Sequence, residues 1–234
     1  MIAVGSHDTA SAVVGVPATT KDFAYVSSGT WSLVGLELDE PVLTEDARAA
    51  NFTNEIGVDH RTRFLKNVGG LWVLQECMRE WQHDDIDDLV AQAGKQPSGG
   101  PLIDIDDPMF IAPGAMPTRV AAAAGIRHAS PEWTTRCILD SLAAAYARTL
   151  LDARELSGAS IDVIHVVGGG SRNALLCQLT ANATSLPVIA GPAEATALGN
   201  IAIQARAHGA LPAALDDIRA GIARGAALRR FEPS

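Results

Sequence analysis

The sequence has few of the features that mark membrane, exported or nucleic-acid-binding proteins. Its apolar runs, such as 120–124 and 142–145, are far shorter than the roughly 20 residues that span a bilayer, and its first residues lack a basic segment followed by an apolar one. Only 18 lysines and arginines face 27 aspartates and glutamates, which leaves a net charge of -9 and no basic cluster. A nucleic-acid partner requires concentrated positive charge. We therefore expect a cytoplasmic protein that binds neither membranes nor nucleic acids.

The sequence is also poor in cysteine and in metal-binding patterns. Cys77, Cys137 and Cys177 are odd in number and far apart, and each lies in a stretch with helical periodicity. They are predicted to be buried free thiols in a reducing compartment. Neither CxxC nor HxxxH occurs and the six histidines are scattered, so no metal site built by the protein is expected. An anionic nucleotide would have to be held by backbone dipoles and a metal ion.

What the sequence does contain is enough apolar residues for a sizeable core. At 234 residues and 47% hydrophobic, it can form one large domain or two small ones. Strand-like runs come first and alternating strand and helix units follow, which indicates a mixed α/β layer fold. Strands are predicted at 1–4, 11–16, 23–28, 31–38, 52–58, 63–66, 161–167 and 187–190. Helices are predicted at 45–50, 70–82, 84–93, 130–155, 172–183 and 195–208, with a loop at 97–117 and a surface helix and tail at the end.

The stretch 163–184 reads as strand, glycine turn and helix. Three glycines, 168–170, separate the apolar strand from a helix with leucines at helical spacing. Consecutive glycines can bring backbone N–H groups against a ligand, and the following helix start favours anions. The spacing is neither GxxxxGKS nor GxGxxG, and such turns also use glycine for purely structural reasons. A phosphorylated or nucleotide-like ligand is therefore one of two interpretations.

Two other turns carry polar residues that suit chemistry. Asp8 lies in a turn predicted between apolar strands, where a partly desolvated carboxylate can act as a general base; the alternative is an aspartate that only holds its own turn. His7 could orient a polyhydroxylated ligand or simply be solvated. The hydroxyls of the 27–32 turn suit phosphate contacts or an ordinary hairpin. Asn67 and Gln75, near the start of a helix, are ligand contacts or caps.

Taken in order, these segments resemble the C-terminal half of the FGGY carbohydrate kinases, and within that family most closely the rhamnulokinases. The resemblance is carried by HDTASAV at 7–13, SSGTWSLVG at 27–35, NFTNE at 51–55, LKNVGGLWVLQEC at 65–77, VVGGGSRNALLCQLTAN at 166–182 and VIAGPAEATALGN at 188–200. The first two are much more specific than the glycine turn. The resemblance implies the actin-like, ribonuclease-H-like ATPase fold, a mixed sheet with flanking helices. Residues 1–234 would form the second, nucleotide-side domain of a two-domain sugar kinase.

The resemblance also implies roles for individual residues. Asp8 would be the catalytic base, which takes the proton from the sugar hydroxyl as that hydroxyl attacks the γ-phosphate of ATP, with Mg²⁺ accompanying the nucleotide. Such a transfer depends mainly on positioning and charge neutralisation. The preferred sugar would be the ketose L-rhamnulose, giving the 1-phosphate. The implied substrate contacts are His7, Asp8, Thr9 and Asn67, and the implied nucleotide contacts are Thr30, Gln75 and Gly169, with Gly170 and Asn173 as neighbours.

The sequence departs from the family in lacking an N-terminal domain. No phosphate loop with glycine and threonine after an acidic strand is found, nor that domain's share of the sugar pocket. We therefore expect little or no kinase activity from this chain alone. The uncovered interdomain surface is expected to be unusually apolar, which leaves pairing with a second copy open. The alternatives are another FGGY substrate, such as xylulose, fuculose or glycerol, and a non-catalytic nucleotide-binding module or partner subunit.

Overall fold

A computed structural model describes residues 4–5 and 7–234 of the chain. The strand predicted at 1–4 therefore lies outside the described residues, except for Val4, which has no regular structure. Within the described ranges, no helix is both long and apolar enough to cross a membrane.

Seven strands and nine α-helices are formed by the described residues. The strands are β1 (Phe23–Ser28), β2 (Trp31–Leu38), β3 (Thr53–Ile56), β4 (Thr62–Gly69), β5 (Val163–Val167), β6 (Val188–Ala190) and β7 (Arg229–Phe231). The helices are α1 (Asp8–Val14), α2 (Glu45–Ala49), α3 (Trp72–Trp81), α4 (Ile86–Ala93), α5 (Met116–Ala123), α6 (Pro131–Ser157), α7 (Ala174–Thr184), α8 (Ala195–Ala207) and α9 (Leu215–Gly225).

All seven strands join one mixed sheet in the order β3-β4-β2-β1-β5-β6-β7. The half formed by β3, β4, β2 and β1 is antiparallel. The pairs β1–β5 and β5–β6 are parallel, and helix α7 connects β5 to β6 as a parallel pair requires. Strand β7 closes the far edge antiparallel to β6. This arrangement confirms the predicted mixed sheet with flanking helices.

One face of the sheet carries the main core. Val26, Val34 and Phe64, on neighbouring strands, are completely buried and belong to the same apolar cluster as Ile138 and Leu142 of α6. The ends of α6 follow the sequence prediction. Its N-cap side chain accepts a hydrogen bond from the first turn, and a glycine in the left-handed conformation ends it.

The opposite face of the sheet is covered by α1 and α8, which touch backbone to backbone. A Cβ atom at Gly199 of α8 would lie 1.8 Å from the carbonyl oxygen of Ser11 in α1. A Cβ at Gly15 would lie 2.3 Å from the carbonyl oxygen of Ala195. Only glycine permits this approach at both positions, so α1 is held at one fixed distance from α8.

A buried ion pair ties α9 to the same layer. The Arg219 guanidinium donates to both carboxylate oxygens of Glu37, at 2.6 and 2.9 Å, and to the carbonyl oxygen of Val13 at 2.8 Å. Both charged side chains are 2% exposed. Paired charges at this depth are expensive to separate, because either one left alone would be buried without compensation.

Three predicted elements are wrong or incomplete. The run 11–16, predicted as a strand, lies mostly in helix α1; its residues are buried on all sides, and a short apolar run does not distinguish a strand from a buried helix. The predicted loop 97–117 contains a short 3₁₀ helix at Pro108–Phe110 and the start of α5. The predicted surface helix is found as α9, which buries one face, but the predicted tail contains the edge strand β7.

A buried histidine makes the stability of the fold depend on pH. His165 of β5 is 1% exposed and packs edge-on against Phe23. Burial, and secondarily the charge of Arg219, lower the pKa of His165 from 6.5 to about 4. Unfolding therefore takes up a proton between these values, so the stabilisation is complete above the unfolded pKa and is lost as the pH falls. From about pH 7.5 to about pH 5 this histidine alone should lower the free energy of unfolding by about 2 kcal/mol.

Urea unfolding at the two pH values checks this prediction. Wild type and His165→Gln are compared, since glutamine keeps a polar side chain but does not titrate. The loss of stability on acidification should be about 2 kcal/mol smaller in the variant. An equal loss in both proteins would show that His165 does not carry this pH dependence.

Candidate active site

Five residues predicted from the sequence line one open cleft. This cleft, about 870 Å³ in volume, lies beside the ends of α1, β1 and β5. The residues predicted at substrate-contact positions all reach it, and so does the exposed residue of the glycine turn. These residues are His7, Asp8, Thr9, Asn67 and Gly169. Segments far apart in the sequence are thus brought together at one cleft.

Asp8 is the first residue of α1 and presents its carboxylate to the cleft. Its Oδ1 accepts the backbone N–H of Thr9 at 2.7 Å and lies 3.5 Å from Nδ1 of His7. The side chain is 77% exposed. The predicted turn between two strands is therefore wrong, because Asp8 opens a helix, and the expected partial desolvation is not found among the described residues. The carboxylate is free to meet a ligand hydroxyl.

Thr30 and Gln75 lie together, but not on this cleft. The hydroxyl of Thr30, in the β1–β2 turn, is 3.5 Å from Oε1 of Gln75 on α3, and both side chains are exposed. Two backbone hydrogen bonds join this turn to the start of α3: Leu71 N–H donates to Gly29 O, and Trp72 N–H donates to Thr30 O. Thr30 and Gln75, two of the residues predicted at nucleotide-contact positions, thus form a second polar group outside the cleft lining.

The glycine turn divides into an exposed and a packed part. Gly168 has φ +81°, a conformation that favours glycine, and a Cβ at Gly170 would lie 2.0 Å from Oγ of Ser28. Gly169 has open space where its Cβ would be and faces the cleft. Asn173 is buried and its Oδ1 accepts the N–H of Leu176, so it caps α7. Of the four predicted residues or glycines of this turn, Gly168 and Gly169 line the cleft, whereas Gly170 and Asn173 do not.

The Nδ2 group of Asn173 is a buried donor left over after capping. Within the part of the chain that the structure describes, it has no hydrogen-bond partner. Buried polar groups normally have one, so this donor behind the glycine turn has room for at most a bound water. Asn173 does not line the cleft, and its predicted place beside a nucleotide stays a prediction.

Several side chains that line the cleft were not predicted as site residues, and Glu55 and Trp31 are the two with the most distinctive chemistry. Glu55 of β3 and Trp31 of β2 both reach it, and the Trp31 ring is 49% exposed. Glu55 closes the NFTNE segment, but a carboxylate on an edge strand gives no local signal of a ligand site. Only the pairing of β3 with β4 brings it to the cleft.

The cysteines are buried and unreactive in the part of the chain that the structure describes. All three cysteines are buried free thiols, which confirms the prediction. Burial raises the pKa of Cys137 to about 11 and that of Cys177 to about 12, and it raises the pKa of Cys77 as well. These thiols therefore stay protonated and unreactive at neutral pH. No group of three or more His, Cys, Asp or Glu side chains among the described residues is arranged to hold a metal ion.

Comparison with known protein families gives a direct match. The family model for the C-terminal domain of the FGGY family of carbohydrate kinases matches residues 24–208. The chain belongs to the FGGY family of carbohydrate kinases. The match begins after α1, but α1 is included where related proteins align over the whole chain.

Several curated relatives are rhamnulokinases. The chain is 46% identical to the rhamnulokinase of Bacteroides thetaiotaomicron over 213 residues, which cover 89% of this chain and 44% of that protein. It is 44% identical to the rhamnulokinase of Klebsiella pneumoniae strain 342 over 239 residues, covering 100% of this chain and 49% of that protein. The chain thus spans about half the length of the relatives that it matches.

Solved structures of FGGY kinases share the fold. Ligand-bound xylulose kinase from Lactobacillus acidophilus superposes with a TM-score of 0.69 at 16% identity, covering 96% of this chain and 45% of that one. Glycerol kinase from Plasmodium falciparum with ADP superposes with a TM-score of 0.66 at 15% identity, covering 97% and 46%. The predicted actin-like ATPase fold of the family is thereby confirmed.

Proposed function

We propose that this chain forms the nucleotide-side half of an ATP-dependent sugar kinase that converts L-rhamnulose to L-rhamnulose 1-phosphate. The observation that carries the proposal is the cleft in which the exposed carboxylate of Asp8 and the open glycine of the turn, Gly169, meet. A base on one wall and backbone donors on another are what phosphoryl transfer needs from a protein. The names of the related rhamnulokinases support L-rhamnulose as the sugar.

Asp8 acts as the general base in this proposal. Its carboxylate takes the proton of the primary hydroxyl while the hydroxyl oxygen forms a bond to the γ-phosphorus of ATP. The bond from that phosphorus to the bridging oxygen of ADP breaks, and the proton stays on Asp8 until solvent removes it. His7, Thr9 and Asn67 line the same cleft and orient the other hydroxyls of the sugar.

The glycine turn fits a nucleotide. Because Gly170 packs against Ser28 and Gly168 takes a positive φ, the turn lies close to the end of β1 while Gly169 stays open to the cleft. Backbone N–H groups in such turns suit anions. Thr30 and Gln75 would extend this contact surface along the nucleotide.

Magnesium would enter with ATP. Of the two carboxylates that line the cleft, Asp8 is the proposed base and Glu55 is paired with Arg63, so the ion would be bound mainly by the substrate phosphates and by water. The ion neutralises phosphate charge when bound. What the protein residues do is unchanged by this: Asp8 accepts the proton and the turn positions the nucleotide.

We further propose that an N-terminal domain closes this cleft in the active enzyme. Asp8 is 77% exposed, and phosphoryl transfer to a sugar competes with transfer to water unless water is excluded. The relatives are about twice as long as this chain. Residues 1–234 alone should therefore turn over poorly. Pairing with a second copy through the uncovered surface stays a prediction.

Sugar-dependent release of ADP tests the proposal. The chain is assayed alone and joined to the N-terminal half of the Bacteroides thetaiotaomicron rhamnulokinase, with L-rhamnulose, xylulose, fuculose and glycerol as acceptors. The joined protein should be at least ~10²-fold faster than the chain alone, with L-rhamnulose the best acceptor. Robust turnover by the chain alone would contradict the need for a closing domain. ATP binding without transfer to any acceptor would favour a non-catalytic nucleotide-binding module.

A further inference from the structure

A buried arginine links the antiparallel half of the sheet to the helix that carries Asp8. Arg63, on β4, is 1% exposed and lies beneath the first turn of α1. Its Nη1 donates to Oγ1 of Thr9 at 3.1 Å, and its Nη2 lies 2.7 Å from Oε2 of Glu55. Thr9 is the residue directly after Asp8. The guanidinium therefore reaches from the sheet to within one residue of the cleft carboxylate.

The pairing of strands fixes where this guanidinium lies. Arg63 is directly opposite Glu55 on β3 and directly opposite Glu37 on β2. Glu37 is already bound by Arg219 through both of its oxygens. Glu55 is thus the counterion that Arg63 contacts directly. A guanidinium that is buried and paired in this way has little freedom to move.

Along α1, the described contacts to the rest of the protein differ from end to end. Its C-terminal end is bound by Arg219 through the carbonyl oxygen of Val13, and its middle is packed against Gly199 of α8. At the N-terminal end, His7 occupies the N-cap position without forming a side-chain capping bond in the described structure. Among the described residues, the hydrogen bond from Arg63 to Thr9 is a side-chain link between this end of α1 and the sheet.

We propose that Arg63 is a positioning residue of the transfer reaction, acting through Thr9 to hold the first turn of α1 and so to aim Asp8 across the cleft. The proposal rests on the proposed function of Asp8 as the base. In this proposal Arg63 contacts neither the sugar nor the nucleotide. Its effect is large because an error of about 1 Å in the placement of a reacting group can cost on the order of 10²-fold in rate.

The 234-residue chain itself allows a test of the structural link. Amide hydrogen exchange of residues 10–14 is compared in wild type, Arg63→Met and Arg136→Met. Arg136 is a matched control, because it is also buried and ion-paired, with Asp140 of α6, but does not touch α1. Arg63→Met should raise exchange in α1 about tenfold relative to α6 in the same protein, and Arg136→Met should not.

Two changes at Thr9 keep the test valid if Arg63→Met folds poorly. Thr9→Ser retains the hydroxyl that accepts from Arg63 and should exchange like wild type in α1. Thr9→Val removes the acceptor while the buried charge stays paired with Glu55, and it should exchange faster in α1. Equal exchange in Thr9→Ser and Thr9→Val would overturn the proposal.

Kinetics of the joined enzyme test the catalytic part. Arg63→Met should lower kcat about 10²-fold and leave the KM for ATP unchanged, whereas Arg136→Met should change neither. An equal effect of the two variants on kcat would overturn the positioning role. An inactive wild-type joined enzyme would overturn the proposed function instead, and the exchange comparison would still decide whether Arg63 holds α1.

Discussion

Replacing Asp8 by asparagine should lower kcat of the joined enzyme about 10³-fold, with little change in the dissociation constant for ATP. General-base catalysis is worth 10²–10⁴-fold, and asparagine has nearly the same shape as aspartate but cannot accept the proton. Among the described residues the Asp8 side chain contacts the Thr9 N–H and His7, so the stability of the folded protein should change little. Steady-state kinetics with L-rhamnulose and equilibrium titration with ATP measure the two effects.

Asp84→Asn is the matched control for this change. Asp84 is an exposed acid just before α4, far in sequence from the cleft and absent from its lining. The control should retain wild-type kcat. A near-normal kcat in Asp8→Asn would remove Asp8 from the role of base, and a parallel loss of ATP binding would assign it to the nucleotide instead.

Replacing Gly199 by alanine should destabilise the protein by about 3 kcal/mol, at the upper end of the usual range for overpacking. The new methyl group would lie 1.8 Å from the carbonyl oxygen of Ser11, and a backbone oxygen cannot turn aside as a side chain can. Helices α1 and α8 must then separate. Because α1 carries Asp8, kcat of the joined enzyme should fall as well. Urea unfolding of the 234-residue chain measures the loss of stability.

Gly221→Ala provides the comparison for Gly199→Ala. Gly221 lies on the exposed side of α9. Among the described residues, a Cβ there would come within 4.0 Å of the end of the Arg224 side chain and of no other atom. Alanine is the better helix former, so this variant should be as stable as wild type or more stable, by about 0.5–1 kcal/mol. A Gly199→Ala protein as stable as Gly221→Ala would contradict the tight packing of α1 on α8.

Much of the fold was predictable because its signals are local. The start and end of α6 follow from Ser130 as N-cap, Pro131 in the first turn and Gly158 in the left-handed conformation. The β1–β2 hairpin was expected at the Ser28-Gly29 turn and is found there. Each of these features depends on neighbouring residues and on one backbone preference, so a single sequence is sufficient.

The errors have a common physical origin. Helix α1 is enclosed between the sheet and α8, so the residues of the run 11–16 are small or apolar on every face. Their hydrophobicity therefore shows no period that distinguishes a helix from a strand. Strand β7 has three residues and owes its existence to the free edge of β6. Such elements are selected by the surface on which they pack, which the local sequence does not reveal.

The sequence by itself determined the family and the residue types of the candidate site, because the motifs that carry Asp8, Asn67 and Gly169 are short and local. Tertiary structure alone decided which of the predicted residues share a cleft: Asp8, Asn67 and Gly169 do, whereas Thr30 and Gln75 lie beyond the turn. It also brought Arg63 to Thr9 across 54 residues of chain. The physical reason is that these contacts depend on strand register and helix packing over the whole sheet, and a shift of one residue in register would turn every such side chain to the other face.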